Sequence, residues 1–470
     1  MRFVRGFVLC CFVVFSAGCE APAPEPLIDL TEGKPNVIVI VLDTFRADHV
    51  GAYGATEVET PHLDAFAAES VLFEDAASTS TWTLPSVASL YTGREPQFHR
   101  AIGAKFRQID ETLPVLPEIL QTRGYQTFGF VAVDFMGKAF GMDRGFDEFS
   151  AHLHGPVSTR FRSYQGRVAG TLSVPPEEPW FGLVHYFDAH DPYRPPKPFD
   201  RMYYEGDPTV EPEDPARSID VIYEESNRIQ QNPQKRYQWL SAYRDLMFPV
   251  KQYAAGVTHV DDHLGNVFAR LEETGRYDDS IIVVVSDHGE HLTEHDIYFT
   301  HRFPYAEVLQ VPLMIRLPGA VEGGRRVPDP VSLVDVLPTL MELIGEPLES
   351  PVDGISLVPA MRGEPVPERL LFAEYGTGNR VWAKSVWNRE WRYTEIRETT
   401  KGSRELFDRR VDPREENDLS EERPEVVETF RAAMDLHFGP ERRWIAREDA
   451  EAVPIDDETA ERLRALGYIE

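Results

Sequence analysis

Three aspartates stand at the ends of apolar, β-branched runs. NVIVIVLD ends at Asp43, GLVHYFD ends at Asp188, and IIVVVSD ends at Asp287. Such runs are typical of strands that are buried on both faces of a parallel sheet. Ligands of open α/β sheets bind beyond the carboxyl ends of the strands, so we expect the three carboxylates at one edge. Together they predict a metal or phosphate site rather than three unrelated turn residues.

His288 and Thr83 add two further ligand types. His288 follows Asp287 directly, where the backbone leaves the strand. Thr83 is the expected N-cap of a predicted helix that ends near Gly93. A carboxylate with an imidazole suits Zn²⁺ or Mn²⁺ better than Ca²⁺, which prefers oxygen ligands. A hydroxyl beside a divalent cation can act as a nucleophile. We therefore predict one divalent ion held by Asp43, Thr83, Asp287 and His288.

Further polar side chains flank the predicted ion. His190 could bind an anion or protonate a leaving group, and we assign catalytic roles to His190 and His301. The guanidinium of Arg302 is shaped for bidentate contact with an oxyanion. Substrate-binding roles are expected for Asp188, which could orient His190, and for His185 and Arg302.

The elements that must position these side chains alternate between strand and helix patterns. The expected strands cover 36–43, 127–133, 182–188, 281–287 and 312–317, and the expected helices cover 63–70, 83–93, 116–123, 250–273 and 333–344. This alternation predicts an α/β fold with a large, mostly parallel sheet sandwiched by helices. Residues 197–234, rich in Pro, Asp, Glu and Tyr, are expected to form an excursion over the mouth of the site.

Composition excludes some classes of protein. The 470 residues include 48 Lys and Arg against 78 Asp and Glu, which gives a net charge of −30 and argues against a nucleic-acid partner. Hydrophobic residues at 42 % and aromatic residues at 11 % argue against a disordered chain. Because the cysteines are Cys10, Cys11 and Cys19, the rest of the chain can hold no disulfide, Cys-ligated zinc or Cys nucleophile.

Residues 1–19 have the pattern of an export signal with a lipid attachment site. A basic start precedes the apolar run 6–15, which is shorter than the roughly 20 residues that a membrane span needs. The sequence SAGC resembles a bacterial lipoprotein cleavage box, with Cys19 as the lipidated residue. Residues 20–35 are expected to be a linker. We therefore expect an exported protein of the bacterial cell envelope, attached to a membrane through lipid.

Motifs along nearly the whole mature chain follow the order of a known family. They are 41–54 (VLDTFRADHVGAYG), 83–86 (TLPS), 91–93 (YTG), 144–147 (RGFD), 185–193, 286–291, 309–319, 332–339, 353–357, 405–413 and 462–468. In order and number they resemble the sulfatase family of the alkaline phosphatase superfamily. The resemblance implies a catalytic domain over 36–365, a smaller C-terminal α+β subdomain over 366–440, and a tail over 441–470.

Thr83 departs from the pattern of that family. Common sulfatases carry a cysteine or serine that is oxidised to formylglycine, in a Cys/Ser-x-Pro-Ser-Arg motif, whereas this chain has Thr83 first and Val87 last. Threonine cannot yield that aldehyde, so no formylglycine is expected. Threonine here resembles phosphoethanolamine transferases and nucleotide pyrophosphatases of the same superfamily, which attack phosphorus with a metal-bound threonine. In two-metal members Asp-x-x-x-His provides ligands, but Pro192 follows Asp188 at that spacing.

These features predict a metal-dependent, sulfatase-like hydrolase or transferase with Thr83 as its nucleophile. It would act on phosphate, phosphonate or sulfate esters of a small molecule, glycan or lipid. Two alternatives remain. His291-Leu-Thr-Glu294-His295 matches the H-x-x-E-H zinc-protease pattern, which needs a helix to place both imidazoles on one face. A non-catalytic, lipid-anchored binding protein could also keep the fold, although the ligand set of Asp43, Asp287 and His288 argues against it.

Overall fold

The computed structural model describes most of the two predicted domains. The described residues are 26–31, 33–102, 107–151, 179–222, 237–376, 381–397 and 402–439. The predicted export signal with Cys19, part of the predicted linker, and the tail 441–470 lie outside them. In the portion that is described, no helix is both long and apolar enough to cross a bilayer.

An eight-stranded sheet forms the centre of the large domain. Its strands are β1 (Asn36–Leu42), β2 (Val71–Ala77), β3 (Gln126–Val131), β4 (Glu148–Ala151), β5 (Trp180–Tyr186), β6 (Ser280–Ser286), β7 (Leu313–Arg316) and β8 (Arg326–Ser332). They lie in the order β4-β3-β5-β1-β6-β7-β2-β8, and only β7 runs antiparallel to its neighbours in this sheet. The predicted α/β fold with a mostly parallel sheet is confirmed.

Helices cover both faces of this sheet. The chain forms α1 (Pro61–Ala68), α2 (Thr83–Thr92), α3 (Pro96–His99), α4 (Leu116–Thr122), α5 (Met247–Glu273), α6 (Ala306–Leu309), α7 (Val336–Leu343), α8 (Val358–Met361) and α9 (Pro424–Phe438). Alternate residues of β1 pack in opposite cores, because successive strand side chains point to opposite faces. Val39 packs in the core that contains α2, α4 and α7, and Ile40 packs in the core that contains α1 and α5.

The central strand β1 lies between β5 and β6 and is buried along its whole length. Its last residue, Leu42, pairs with Tyr186 of β5 and with Ser286 of β6. The three strands therefore end at the same level of the sheet. This register brings the residues that follow β1 and β6 next to each other.

A separate four-stranded antiparallel sheet forms the C-terminal subdomain, in the order β12-β11-β10-β9. Its strands are β9 (Leu371–Gly376), β10 (Trp382–Trp387), β11 (Trp391–Arg397) and β12 (Gly402–Asp408). Glu374 of β9 joins the chain ahead of α2: its backbone N–H donates to Thr79 O at 3.0 Å, and Ser80 Oγ donates to its carbonyl at 2.8 Å. The predicted smaller C-terminal subdomain is confirmed, and its boundary at 365/366 stays a prediction.

Candidate active site

Asp43 and Asp287 lie side by side at the carboxyl edge of the large sheet. They directly follow β1 and β6, and both side chains are buried. Asp287 Oδ1 accepts hydrogen bonds from the backbone N–H groups of Thr44 at 3.2 Å and His288 at 2.8 Å. Within the described residues, Asp43 Oδ1 and Asp287 Oδ2 have no hydrogen-bond partner. Buried carboxylate oxygens without partners are unfavourable unless a cation compensates them.

His288 presents its Nε2 atom to these carboxylates. Its Nδ1 lies 2.9 Å from the carbonyl of Gly289 and donates to it, so Nε2 carries the lone pair. Nε2 lies 3.5 Å from Asp287 Oδ2 and 3.4 Å from Thr83 Oγ1. A backbone contact that fixes the tautomer in this way is typical of a histidine that binds a metal.

Thr83 is the first residue of α2, and its side chain is directed at the two ligand groups. Its Oγ1 lies 3.3 Å from Asp43 Oδ2, in addition to the contact with His288. The expectation that Thr83 is the N-cap is wrong: Trp82 holds that position, and no side chain caps the helix. The Thr83 hydroxyl contacts the aspartate and the histidine instead of the helix backbone.

This donor set fits a divalent cation. Asp43, Asp287 and His288 offer ligand atoms that all lie within 4.8 Å of one another. Burial and then the negative charge of Asp43 raise the pKa of Asp287 to about 6. Burial also disfavours the charged form of Asp43, but the hydrogen bond from His185 and the charge of His190 outweigh it and lower the pKa of Asp43. The negative charges of the two carboxylates repel each other, and a cation bound between them would stabilise both charged forms.

His185 contacts Asp43, whereas Asp188 lies near His259 of α5. Ala132 N donates to His185 Nδ1 at 3.4 Å, which leaves the proton on Nε2, and Nε2 lies 3.2 Å from Asp43 Oδ2. His185 therefore holds a predicted metal ligand in place. Asp188 Oδ1 lies 4.0 Å from His259 Nδ1 of α5, and burial raises the pKa of Asp188 to about 7. The substrate-binding roles predicted for both residues stay predictions.

His301 and His190 lie close to the predicted ligands. The ring of His301 lies 4.6 Å from that of His288 and 5.7 Å from that of His190, between centroids. His301 Nδ1 donates to Thr81 O at 2.5 Å. His190 Nδ1 donates to Asp191 O at 2.8 Å. Burial favours the neutral form of His190, but the hydrogen bond and charge of Asp191 outweigh it and raise the pKa of His190 to about 10.

Arg302 and the H-x-x-E-H segment occupy the loop that precedes α6. The carbonyl of Arg302 accepts a 2.5 Å hydrogen bond from His291 Nε2, and the predicted role of its guanidinium in substrate binding stays a prediction. Glu294–Asp296 is a short 3₁₀ turn in which His295 has a φ of 56°. The segment therefore lacks the helix on which the zinc-protease hypothesis depends.

Sequence reasoning missed three residues around His190 and His301. Asp191 lies 3.1 Å from His190 Nδ1 through its carboxylate, and Phe187 stacks on the His190 ring at 4.5 Å. Trp82 packs edge-on against His301 at 5.6 Å. The sequence offered one signal, since Asp191 directly follows His190. No sequence pattern marked the two aromatic residues.

Two family models match this chain. The model described as Sulfatase matches residues 35–346, and the model described as N-sulphoglucosamine sulphohydrolase, C-terminal, matches residues 293–436. The chain belongs to the sulfatase family. Its predicted family is thereby confirmed, and this sulfatase-family protein is an ester hydrolase of the superfamily.

Individual members of the sulfatase family resemble the chain over most of its length. The choline-sulfatase of Rhizobium meliloti is 25 % identical, with 89 % of this chain and 92 % of the relative covered. The Delta 4,5-hexuronate-2-O-sulfatase of Bacteroides thetaiotaomicron is 23 % identical, with 93 % and 94 % covered. The crystal structure of the phosphonate monoester hydrolase of Agrobacterium radiobacter shares the fold, with a TM-score of 0.69, 22 % identity, and 87 % and 96 % covered.

Proposed function

We propose that this sulfatase-family protein cleaves phosphate or phosphonate esters with Thr83 as its nucleophile. The observation that carries the proposal is the position of Thr83 Oγ1, 3.3 Å from Asp43 Oδ2 and 3.4 Å from His288 Nε2. A threonine hydroxyl held between these groups is suited to direct attack on phosphorus and cannot be converted to formylglycine. Hydrolysis of sulfate esters is the second candidate, and it is supported by the similarity of the chain to a choline-sulfatase and to a Delta 4,5-hexuronate-2-O-sulfatase.

One divalent cation would be held by Asp43, Thr83, Asp287 and His288. When bound, it would neutralise the aspartates and favour the alkoxide form of the threonine. The imidazole in the set favours Zn²⁺ or Mn²⁺. His185 keeps Asp43 oriented through its 3.2 Å contact, as outer partners of metal ligands commonly do.

The residues of the chain then divide the chemistry between them. Thr83 Oγ1 passes its proton to Asp43 Oδ2, which lies 3.3 Å away, and forms a bond to phosphorus, while the bond from phosphorus to the leaving oxygen breaks. His190, cationic at neutral pH because its pKa is raised to about 10, binds the anionic group and donates a proton to the leaving oxygen. His301, whose ring lies 5.7 Å from that of His190, would help to bind the anionic group. Water then cleaves the threonine ester in the hydrolase, or an acceptor alcohol does so in a transferase.

The proposed substrate is an ester of a small molecule, glycan or lipid, at the bacterial cell envelope. The strongly acidic chain, with a net charge of −30, disfavours nucleic acid. We also propose attachment to the membrane through lipidated Cys19. Cys19→Ser should move the protein from the membrane fraction to the soluble fraction, and a variant that stays with the membrane would contradict the anchor.

The test is a panel of aryl phosphate, phosphodiester, phosphonate and sulfate esters assayed with purified protein and Zn²⁺ or Mn²⁺. We expect turnover of phosphorus esters that Thr83→Ala abolishes and that Thr83→Ser, the matched control with a hydroxyl, partly retains. Sulfate turnover that survives in Thr83→Ala would refute the nucleophile. If only sulfate esters react and the reaction requires Thr83, the substrate class is sulfate esters and not phosphorus esters.

A further inference from the structure

Thr44, which directly follows the predicted ligand Asp43, has a rare backbone conformation. Its φ of 54° lies in the left-handed region, and the residue is buried. A β-branched residue is disfavoured in this region, because its Cβ comes too close to the following carbonyl oxygen. Such a conformation persists only where the surrounding structure holds it, so the contacts of Thr44 must compensate the strain.

In this conformation the amide of Thr44 points at the second predicted carboxylate ligand. It donates to Asp287 Oδ1 at 3.2 Å, and His288 N donates to the same oxygen at 2.8 Å. Within the described residues, Asp287 Oδ2 has no hydrogen-bond partner and lies 3.5 Å from His288 Nε2. The two amides therefore orient the carboxylate so that Oδ2 remains available for the predicted cation.

The hydroxyl of Tyr253, in α5, holds the main chain that follows Thr44. It donates to Thr44 O at 2.7 Å and accepts a hydrogen bond from Arg46 N at 3.0 Å. Burial raises the pKa of Tyr253, so the hydroxyl stays protonated and can donate and accept at once. The phenol ring is itself fixed by edge contacts with His49 and Tyr193, with centroids 5.0 Å and 5.5 Å away.

Other contacts of this turn do not replace the Tyr253 hydroxyl. In the part of the chain that the structure describes, that hydroxyl is the one hydrogen-bond donor to Thr44 O. Thr44 Oγ1 donates to Asp43 O at 2.8 Å, which leaves the Thr44 carbonyl unaffected. Phe45 N donates to Ser286 Oγ at 3.1 Å and connects the turn to β6. Without the hydroxyl, two buried main-chain groups would lose their partner, and the strained conformation would lose its support.

We propose that Tyr253 is a positioning residue of the predicted metal site, a role that rests on the proposed function. Its hydroxyl keeps Thr44 in the left-handed conformation, and this conformation keeps the Thr44 amide on Asp287 Oδ1 in the metal-free protein. The carboxylate is thereby oriented before it binds a cation. Loss of a partner behind a metal ligand typically lowers metal affinity by about 10–100-fold, and we expect Tyr253 to act in this way.

Metal affinity in a double-mutant cycle tests the proposal on the full-length protein. Competition between the protein and a chelator for Zn²⁺ is measured for the wild type, Tyr253→Phe, Thr44→Gly and the double variant. Tyr253→Phe should bind Zn²⁺ about tenfold more weakly than the wild type. In the Thr44→Gly background the same change should cost much less, because glycine adopts a positive φ without the strain that the hydroxyl compensates.

Amide hydrogen exchange of the metal-free protein gives a second readout. The peptide that contains residues 43–47 should exchange faster in Tyr253→Phe than in the wild type, because the turn opens more often. This readout needs no bound ion, so it tests the role of Tyr253 separately from the proposed function. A wild type that binds no divalent ion would refute the proposed metal site, whereas unchanged exchange in Tyr253→Phe would refute the positioning role.

Tyr53 supplies a matched control. Its hydroxyl also makes two main-chain hydrogen bonds, donating to Leu313 O at 3.0 Å and accepting from Leu313 N at 2.8 Å in β7. Tyr53→Phe therefore removes the same kinds of bond away from Thr44, and it should keep the wild-type Zn²⁺ affinity and the wild-type exchange of residues 43–47. Equal losses of affinity in Tyr53→Phe and Tyr253→Phe, or equal losses from Tyr253→Phe in both Thr44 backgrounds, would overturn the proposal.

Discussion

Buried charges are arranged differently at the active-site edge and in the C-terminal sheet. Within the C-terminal sheet, Lys384 of β10 donates to Glu374 of β9 at 3.1 Å, and both side chains are at most 5 % exposed. At the active-site edge, Asp43 and Asp287 are equally buried, yet each keeps one oxygen without a hydrogen-bond partner in the described residues. A carboxylate that the protein pairs with its own cation supports the fold. Buried carboxylates with an oxygen that has no hydrogen-bond partner indicate a site for a bound cation.

The largest effect is expected from Thr83→Ala, which removes the nucleophile and leaves the carboxylates in place. The turnover rate should fall by at least about 1,000-fold, because loss of a covalent nucleophile leaves only binding and electrostatic catalysis. The unfolding midpoint should change little, and Asp43, Asp287 and His288 should still bind the metal, with lower affinity because one of the four proposed ligands is gone. A rate within tenfold of the wild type would show that the active-site edge does not work through Thr83.

Lys384→Met tests the other region. Removing one partner of a buried ion pair leaves an uncompensated charge, so the free energy of unfolding should fall by about 3–5 kcal/mol. Denaturant unfolding measures this loss, and the metal content of the folded fraction should equal that of the wild type. If this variant loses bound metal, the buried ion pair of the C-terminal sheet also contributes to metal binding, and the two regions do not have separate roles.

His185→Phe sharpens the comparison at the active-site edge. The imidazole holds Asp43 at 3.2 Å, and loss of such an outer partner typically lowers metal affinity by about 10–100-fold. Competition with a chelator measures the affinity, and His185→Gln, which keeps a donor, should lose less. If the metal affinity is unchanged and KM rises instead, His185 binds substrate, as its sequence pattern first suggested.

The smallest effect concerns the stability of metal-free protein. Burial and Asp43 raise the pKa of Asp287 to about 6, above its value in the unfolded chain, so the folded state binds this proton more tightly. Stability should therefore fall as pH rises from about 4 to about 6, by no more than about 3 kcal/mol. Asp287→Asn should remove that decline and be the more stable protein at pH about 8 in chelator. If the metal-free wild type instead gains stability over this pH range, the pKa of Asp287 is not raised in the folded protein.

Much of the active-site edge could be predicted from sequence because strand ends carry a local signal. The β-branched runs before Asp43 and Asp287 fix both the strands and their exit points. The role of His185 could not be predicted, since it depends on the register that pairs His185 with Val41, two residues before Asp43. Strand β2 (Val71–Ala77) was missed because Glu74 and Asp75 interrupt its apolar pattern where the strand is only partly buried.

The orientation of β7 could also not be read from sequence. Its four buried residues, Leu313–Arg316, have the same pattern whether the strand runs parallel or antiparallel. Orientation is decided by the tertiary pairing with β2 and β6. The position of Thr83 depends on tertiary structure too, because its hydroxyl is drawn to Asp43, forty residues earlier in the chain, rather than to the helix backbone.

The most direct test of the central claim is to trap the covalent intermediate. Protein mixed with a reactive aryl phosphate or phosphonate is quenched in acid during turnover, digested, and mapped by mass spectrometry. The account predicts a phosphoryl or phosphonyl group on the peptide that contains Thr83, present in the wild type and absent from Thr83→Ala. Turnover with the group attached to another residue would contradict the account. So would turnover with an unmodified Thr83 peptide, under conditions that trap an intermediate in a known threonine-dependent relative.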